Sequence, residues 1–81
     1  MKHYLKLPDL GLPGTPVVAS LWLVRRGARV AAGDSLLEVL AGEATIDLPA
    51  PAGGVLSRKL VAENDSLTIG QRLAVIDAEW E

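Results

Sequence analysis

An all-β sandwich assembled from two copies of one strand-and-turn motif is what this sequence predicts, on three observations. Chain breakers arrive at short intervals: Pro8, Gly11, Pro13-Gly14, Pro16, Gly27, Gly33, Gly42, the run from Pro49 to Gly54, Asn64-Asp65 and Gly70. The stretches between them are short and rich in Val, Leu and Ile, which is the pattern of strands bounded by turns. The chain also repeats itself without a gap, 37 residues on, from Val18 and Val55 to Val39 and Ile76. Two strand–turn–strand copies in so short a chain predict two small sheets packed face to face, which hides one side of each strand.

In chain order, strands are expected over residues 3–7, 17–25, 35–41, 44–48, 55–61 and 72–77. Shorter extended pieces are expected near 29–31 and 67–69. Residues 21–32 have enough helix propensity to pass for a helix. Gly27 interrupts that run and Gly33 follows too closely, so strand–turn–strand is preferred. Within the repeat, Ser20 pairs with Ser57, Leu23 with Leu60, Val24 with Val61, Val30 with Leu67, Gly33 with Gly70 and Leu36 with Leu73. The most informative pair is Gly27 with Asn64. These two residue types adopt positive φ most readily in tight turns, so both positions are expected in the left-handed region. The link between copies, residues 40–44, is expected at one extremity and the chain ends, up to Glu81, at the other. Gly42 as the first central residue of that link favours a type II′ turn, with positive φ at Gly42 and negative φ at Glu43.

Composition bounds the function. The 81 residues fit one domain, taken as 1–81. Hydrophobic residues make up 49%, but aromatics only 4%, so the core must be aliphatic. Cysteine is absent, which leaves no disulfide or thiolate metal site. The net charge of −2 argues against a nucleic-acid partner. The longest apolar stretch, residues 17–24, is far below the ~20 residues that span a bilayer. No signal-peptide core follows Met1. A monomer in the cytoplasm, without nucleic-acid or membrane contacts, is the expectation. One histidine, His3, cannot make a metal site. Asp34, Glu38, Glu43 and Asp47 have no nucleophile or Lewis acid beside them in sequence and read as a solvated surface. Arg25, Arg26 and Arg29 read as a solvated basic cluster at a turn. No nucleophile–base pair is visible, so a catalyst acting alone is not expected.

Four segments in order carry a resemblance. They are Leu7-Pro8-Asp9-Leu10-Gly11, then Trp22-Leu23-Val24-Arg25-Arg26-Gly27, then Ala44-Thr45-Ile46-Asp47-Leu48-Pro49-Ala50-Pro51, and finally Gly70-Gln71 with Leu73-Ala74-Val75-Ile76. At this spacing they resemble the lipoyl domains of 2-oxo acid dehydrogenase complexes and their sister biotinyl domains of biotin-dependent carboxylases. The resemblance implies a flattened eight-stranded barrel or sandwich hybrid with internal two-fold symmetry. It also implies a lysine at the tip of the central hairpin, in Asp-Lys-Ala or Met-Lys-Met, that carries lipoate or biotin. Here the tip is Gly42-Glu43-Ala44, preceded by Leu40-Ala41, and Glu43 stands at the lysine's place. Attachment needs an amine to attack an activated carboxyl group, and a glutamate offers none. Of the chain's lysines, Lys2 and Lys6 fall in the region of the first predicted strand and Lys59 inside another, none at a hairpin tip, so no bound cofactor is expected.

The family counterpart of the loop 11–16 lies beside the carrier hairpin and contacts the partner enzyme. By that analogy Leu12, Pro13 and Thr15 are candidate contact residues, toward a dehydrogenase-complex enzyme or a related carrier protein. Three functions remain in play. The preferred one is a non-acylated binding or accessory module. The second is a genuine acyl-carrying domain, the N-terminal part of a dihydrolipoamide acyltransferase. The third, a membrane-fusion adaptor piece, ranks low because those carry a long helical insertion where this chain has a tight turn.

Overall fold

The computed structural model describes residues 1–78. Eight strands form: β1 (Lys2–Lys6), β2 (Val17–Trp22), β3 (Arg29–Val30), β4 (Ser35–Ala41), β5 (Ala44–Pro49), β6 (Gly54–Lys59), β7 (Ser66–Leu67) and β8 (Arg72–Asp77). They make two four-stranded sheets, β1-β8-β6-β3 and β5-β4-β2-β7, with every pairing antiparallel. Leu36, Leu37, Val39, Leu56, Leu73 and Ile76 are fully buried in the aliphatic core, and among the described residues no polar residue is buried with them. The all-β sandwich is as expected. Several strand ends differ from the sequence reading. The first strand begins at Lys2 and stops before Leu7, β2 stops at Trp22, β3 at Val30, β5 runs on to Pro49, β6 spans Gly54–Lys59, and β7 is Ser66–Leu67. Leu23 and Leu60 have left the ladders, although their N–H groups still donate to Leu36 and Leu73 carbonyls.

The repeat carries into the backbone. Strands β2 and β3 recur 37 residues later as β6 and β7, and β4 recurs as β8, one residue shorter at its end. The hydrogen bonds follow the same two-fold. Gly27 N–H donates to Leu56 O while Asn64 N–H donates to Ala19 O, both at 2.7 Å. Leu56 N–H donates to Ala28 O and Ala19 N–H to Asp65 O, both at 2.9 Å. The turn arm 25–28 therefore docks on β6, in the opposite half, and the arm 62–65 docks on β2. Side-chain oxygens close the equivalent turns of both copies: Asp34 Oδ2 accepts from Ala31 N–H at 2.8 Å and Gln71 Oε1 from Thr68 N–H at 2.9 Å.

Four bulges repeat as well. The ladder slips at Ser20 between β2 and β4, and at Ser57 between β6 and β8. It slips again at Leu36 between β4 and β5, and at Leu73 between β8 and β1. A bulge suspends the in–out alternation of a strand. That is why the neighbours Leu36 and Leu37 are both fully buried, as are Leu73 and Ala74.

Gly27 has φ 90 and Asn64 has φ 77, as the turn chemistry predicts. An alanine at positive φ costs about 1 kcal/mol, and asparagine tolerates the region better. Asn64→Ala should therefore lower stability by about 1 kcal/mol. Asn64→Gly should stay within about 0.5 kcal/mol of the parent. Urea denaturation of the three chains checks this. Equal losses for Ala and Gly would mean that the side chain, and not the dihedral, matters.

Candidate functional site

The site is built on the hairpin of β4 and β5. Ala41 pairs with Ala44, so Gly42 and Glu43 alone form the tip. Gly42 has φ 62 and Glu43 does not share the positive φ, which is the dihedral pattern expected of a type II′ turn. That turn follows the right-handed twist of the two strands and holds the tip without a longer loop. Gly42, Glu43 and Ala44 are exposed, while Ala41 is buried beneath them. β4 runs from Ser35 to this tip. At its far end Gly33 N–H donates to Ala50 O, and Gly53 lies against Val30 and Ala31. Gly54, Asp77 and Ala78 meet at that same far end, where Ala78 N–H donates to Met1 O. The tip and the described chain ends thus sit at opposite ends of the strands. Glu81, against which the expected separation was framed, lies outside the described residues.

The loop from Pro8 to Pro16 packs beside the tip. Asp9 Oδ1 accepts from Gly11 N–H at 2.8 Å, and Thr15 N–H donates to Leu12 O at 3.1 Å. Pro13 and Gly14 are the central residues of that turn, and Gly14 has φ 76, as a type II turn requires. Pro16 O accepts from Gly42 N–H at 3.4 Å, which ties loop to tip. A Cβ on Gly42 would lie 3.2 Å from the Thr15 Cγ2 methyl, closer than ordinary contact. Between the loop and the turn after β7 runs a groove of about 520 Å³, lined in part by Leu7, Leu10, Leu12, Val17, Leu67 and Ile69. Ile69 and Leu12 are exposed on its rim.

The fold thus brings Thr15 against Gly42 and sets Leu12 and Pro13 on the same loop. It does not bring any lysine there. Lys2 and Lys6 lie on β1 and Lys59 on β6, all in the other sheet. The Lys59 ammonium stands 5.0 Å from the centre of the Trp22 ring. The four carboxylates do not converge. Asp34 is engaged by a backbone N–H, Glu38 accepts from the Ser20 hydroxyl at 3.3 Å, Asp47 sits opposite Glu38 on β5, and Glu43 is at the tip. Among the described residues no group of three or more His, Cys, Asp or Glu could hold a metal ion. His3 lies in β1 opposite Ile76. Arg25 and Arg26 lie in the exposed arm before β3, and Arg29 on β3 itself. The tip can accept hydrogen bonds through a carboxylate and can supply no nucleophilic amine. Sequence reasoning missed Ile69 as part of the apolar end. Its equivalent in the repeat is the small Ala32, so nothing in the pattern marked it.

A family model described as biotin-requiring enzyme, the biotin/lipoyl family, matches residues 3–76. Among curated proteins, the chain is 32% identical over 74 residues to the dihydrolipoyllysine-residue acetyltransferase component of the acetoin cleaving system of Pseudomonas putida, covering 91% of this chain and 20% of that protein. It is 36% identical over 76 residues to the mitochondrial pyruvate dehydrogenase complex protein X component of Chaetomium thermophilum, covering 93% of this chain and 17% of that one. It is 32% identical over 77 residues to the acetyltransferase component of the pyruvate dehydrogenase complex of Zymomonas mobilis, covering 94% and 18%. The chain therefore spans about a fifth of the length of these relatives. Among solved structures, a single-chain, multi-domain long-chain acyl-CoA carboxylase superposes with a TM-score of 0.79 at 20% identity, over 99% of this chain and 7% of that one. That likeness carries the fold alone.

Proposed function

The chain belongs to the biotin/lipoyl attachment family, and from that premise we propose that it is a lipoyl-domain-like module that carries neither lipoate nor biotin. It acts as a non-catalytic binding or accessory domain, spanning 1–81, toward a dehydrogenase-complex enzyme or a related carrier protein. One observation carries the reading: the two-residue tip of the central hairpin is Gly42-Glu43, and every lysine of the chain lies on a strand of the opposite sheet. The residues at the tip do not fit lipoate or biotin, because amide formation on the cofactor's carboxyl group needs an amine. Contact with the partner runs through the tip and the adjoining loop, with Leu12, Pro13 and Thr15 presented beside Gly42. The stiff type II turn favours this use, because a preorganised loop loses little entropy on binding. The module works as a monomer in the cytoplasm.

Intact-mass spectrometry tests the reading. Coexpressed with lipoate ligase or with biotin ligase and excess cofactor, the natural chain should keep its unmodified mass. An adduct on any residue would replace this reading with the acyl-carrying one. The second reading has support in the relatives named as dihydrolipoyllysine-residue acyltransferase components, against which the chain aligns over nearly its whole length.

A further inference from the structure

The two halves of the repeat part company at one position of the turn arm. In the second half that position is Glu63, whose Oε2 accepts from Trp22 N–H at 2.9 Å. The donor faces the arm because hydrogen bonding alternates along a strand. Leu23 N–H donates to Leu36 O on β4, so the N–H one residue earlier points away from β4. The first half reproduces this donor. Leu60 N–H donates to Leu73 O on β8, so the N–H of Lys59, which matches Trp22 in the repeat, points away from β8 toward the arm 25–28. The residue that matches Glu63 there is Arg26. A guanidinium accepts no hydrogen bond. One half thus closes the donor with its own carboxylate, and the other sets a cation in the carboxylate's place.

Two more cations gather at the same place. Arg26, Arg58 and Lys59 line a cleft of about 450 Å³. Gly27 N–H donates to Leu56 O and Leu56 N–H to Ala28 O, which lays the arm along β6 and carries Arg26 to the level of Arg58. Arg26 and Arg58 are exposed, and among the described residues neither has a carboxylate partner. The Lys59 ammonium stands over the Trp22 ring, which is fixed by donation of its Nε1–H to Val61 O at 3.1 Å. Three like charges around one cleft repel each other, and an anion between them relieves the repulsion. We propose that this cleft binds the phosphate group of a small soluble molecule. The sister half indicates the class of ligand: an anionic oxygen, accepting from the equivalent strand N–H. Three cations suit a dianion better than a single carboxylate. The planar guanidinium groups match phosphate oxygens in pairs, and Lys59 adds a point charge. The site does not include the hairpin tip, so it stands or falls independently of what happens at Glu43.

The test is an amide-resolved NMR titration of the full chain, at constant ionic strength, with inorganic phosphate and with glycerol phosphate. Acetate serves as the monoanion and a DNA duplex as the polyphosphate. Shifts should centre on Arg26, Arg58 and Lys59, with the Lys59 amide proton moving downfield as it gains an acceptor. Both phosphates should bind more tightly than acetate. Arg26→Glu recreates the arrangement of the sister half. In that variant the Lys59 amide should move downfield with no ligand present, and phosphate should bind about tenfold more weakly or worse. Arg26→Gln should bind with an affinity between the variant and the parent. Lys2→Glu with Lys6→Glu, which alters charge on the edge strand β1, should leave binding unchanged. Shifts centred elsewhere or none at all, acetate binding as tightly as phosphate, a duplex binding more tightly than glycerol phosphate at equal phosphate concentration, an Arg26→Glu chain that binds like the parent, or an equal loss in the Lys2/Lys6 variant would each overturn the proposal.

Discussion

Gly54→Ala should cost this protein on the order of 3–5 kcal/mol, whereas alanine at its neighbour Gly53 should cost about 1 kcal/mol or less. Gly54 opens β6 at a point where the backbone of β8 passes directly over it. A Cβ there would overlap the Asp77 carbonyl and lie 2.9 Å from the Ala78 Cα. These are backbone atoms, so no change of rotamer makes room. Gly54 also has φ 154, a conformation that L residues rarely adopt. Relief would require lifting Asp77 away from Val55, or Val30 away from Gly54, and each of those pairs belongs to the ladder of the first sheet. At Gly53 the nearest atom would be Val30 O at 3.6 Å, an ordinary contact. A domain of this size has a stability near the low end of 5–15 kcal/mol, so the Gly54 change removes about half or more of it. Urea titration followed by Trp fluorescence reads both variants. Equal midpoints for the two would show that the close approach at Gly54 is not there.

Glu43→Lys should yield a chain that takes some lipoate at the hairpin tip. The substitution supplies an amine at the tip of an exposed two-residue turn, on a scaffold whose flanking β4 and β5 keep the family's arrangement. Coexpressed with lipoate ligase, the variant should show a second species heavier by one lipoyl group, mapped to position 43. Modification should be incomplete. Leu40, Ala41 and Gly42 still depart from the family's flank, and the positive φ of Gly42 aims the tip differently from a turn with a side chain there. Restoring an aspartate at 42 is not a simple repair, because its Cβ would press on the Thr15 methyl. No lipoylation of the Glu43→Lys chain would mean that the flank, and not the amine alone, decides whether this tip can be modified.

Much of the architecture was legible because the repeat is written in turn chemistry as well as in hydrophobicity. Gly27 and Asn64 sit in equivalent left-handed turns, and the offset that links them also links β2 with β6 and β4 with β8. The bulges were not legible. Ser20 and Ser57 were visible as a matched pair. Nothing in a serine says that it will slip the ladder, and its role emerges only when its hydroxyl meets the next strand, at Glu38 or at the Val75 carbonyl. The strand ends were misjudged for a related reason. Leu23 and Val24 continue the apolar run, but the arm must leave the sheet there to reach β6. At the tip, the two-residue turn followed from Gly42 in the sequence. The grip of Thr15 and Pro16 on that glycine is a contact between segments remote in the chain, which no local pattern encodes.

The strand order has a consequence for how the molecule comes into being. In the first sheet β1 pairs only with β8, and β6 reaches β1 only through β8. Within this domain the first strand made therefore waits for the last, with almost the whole domain made in between. The arms compound the delay, since Gly27 finds its acceptor at Leu56 and Ala19 its own at Asp65. Folding as the chain emerges is denied to such a topology. Closing loops that long must precede the pairings that reward it, which places the domain among slow folders with a high mean sequence separation of contacts. Throughout its synthesis β1 remains an unpaired edge, and the lysines at its two ends, Lys2 and Lys6, guard it against premature pairing with other nascent chains.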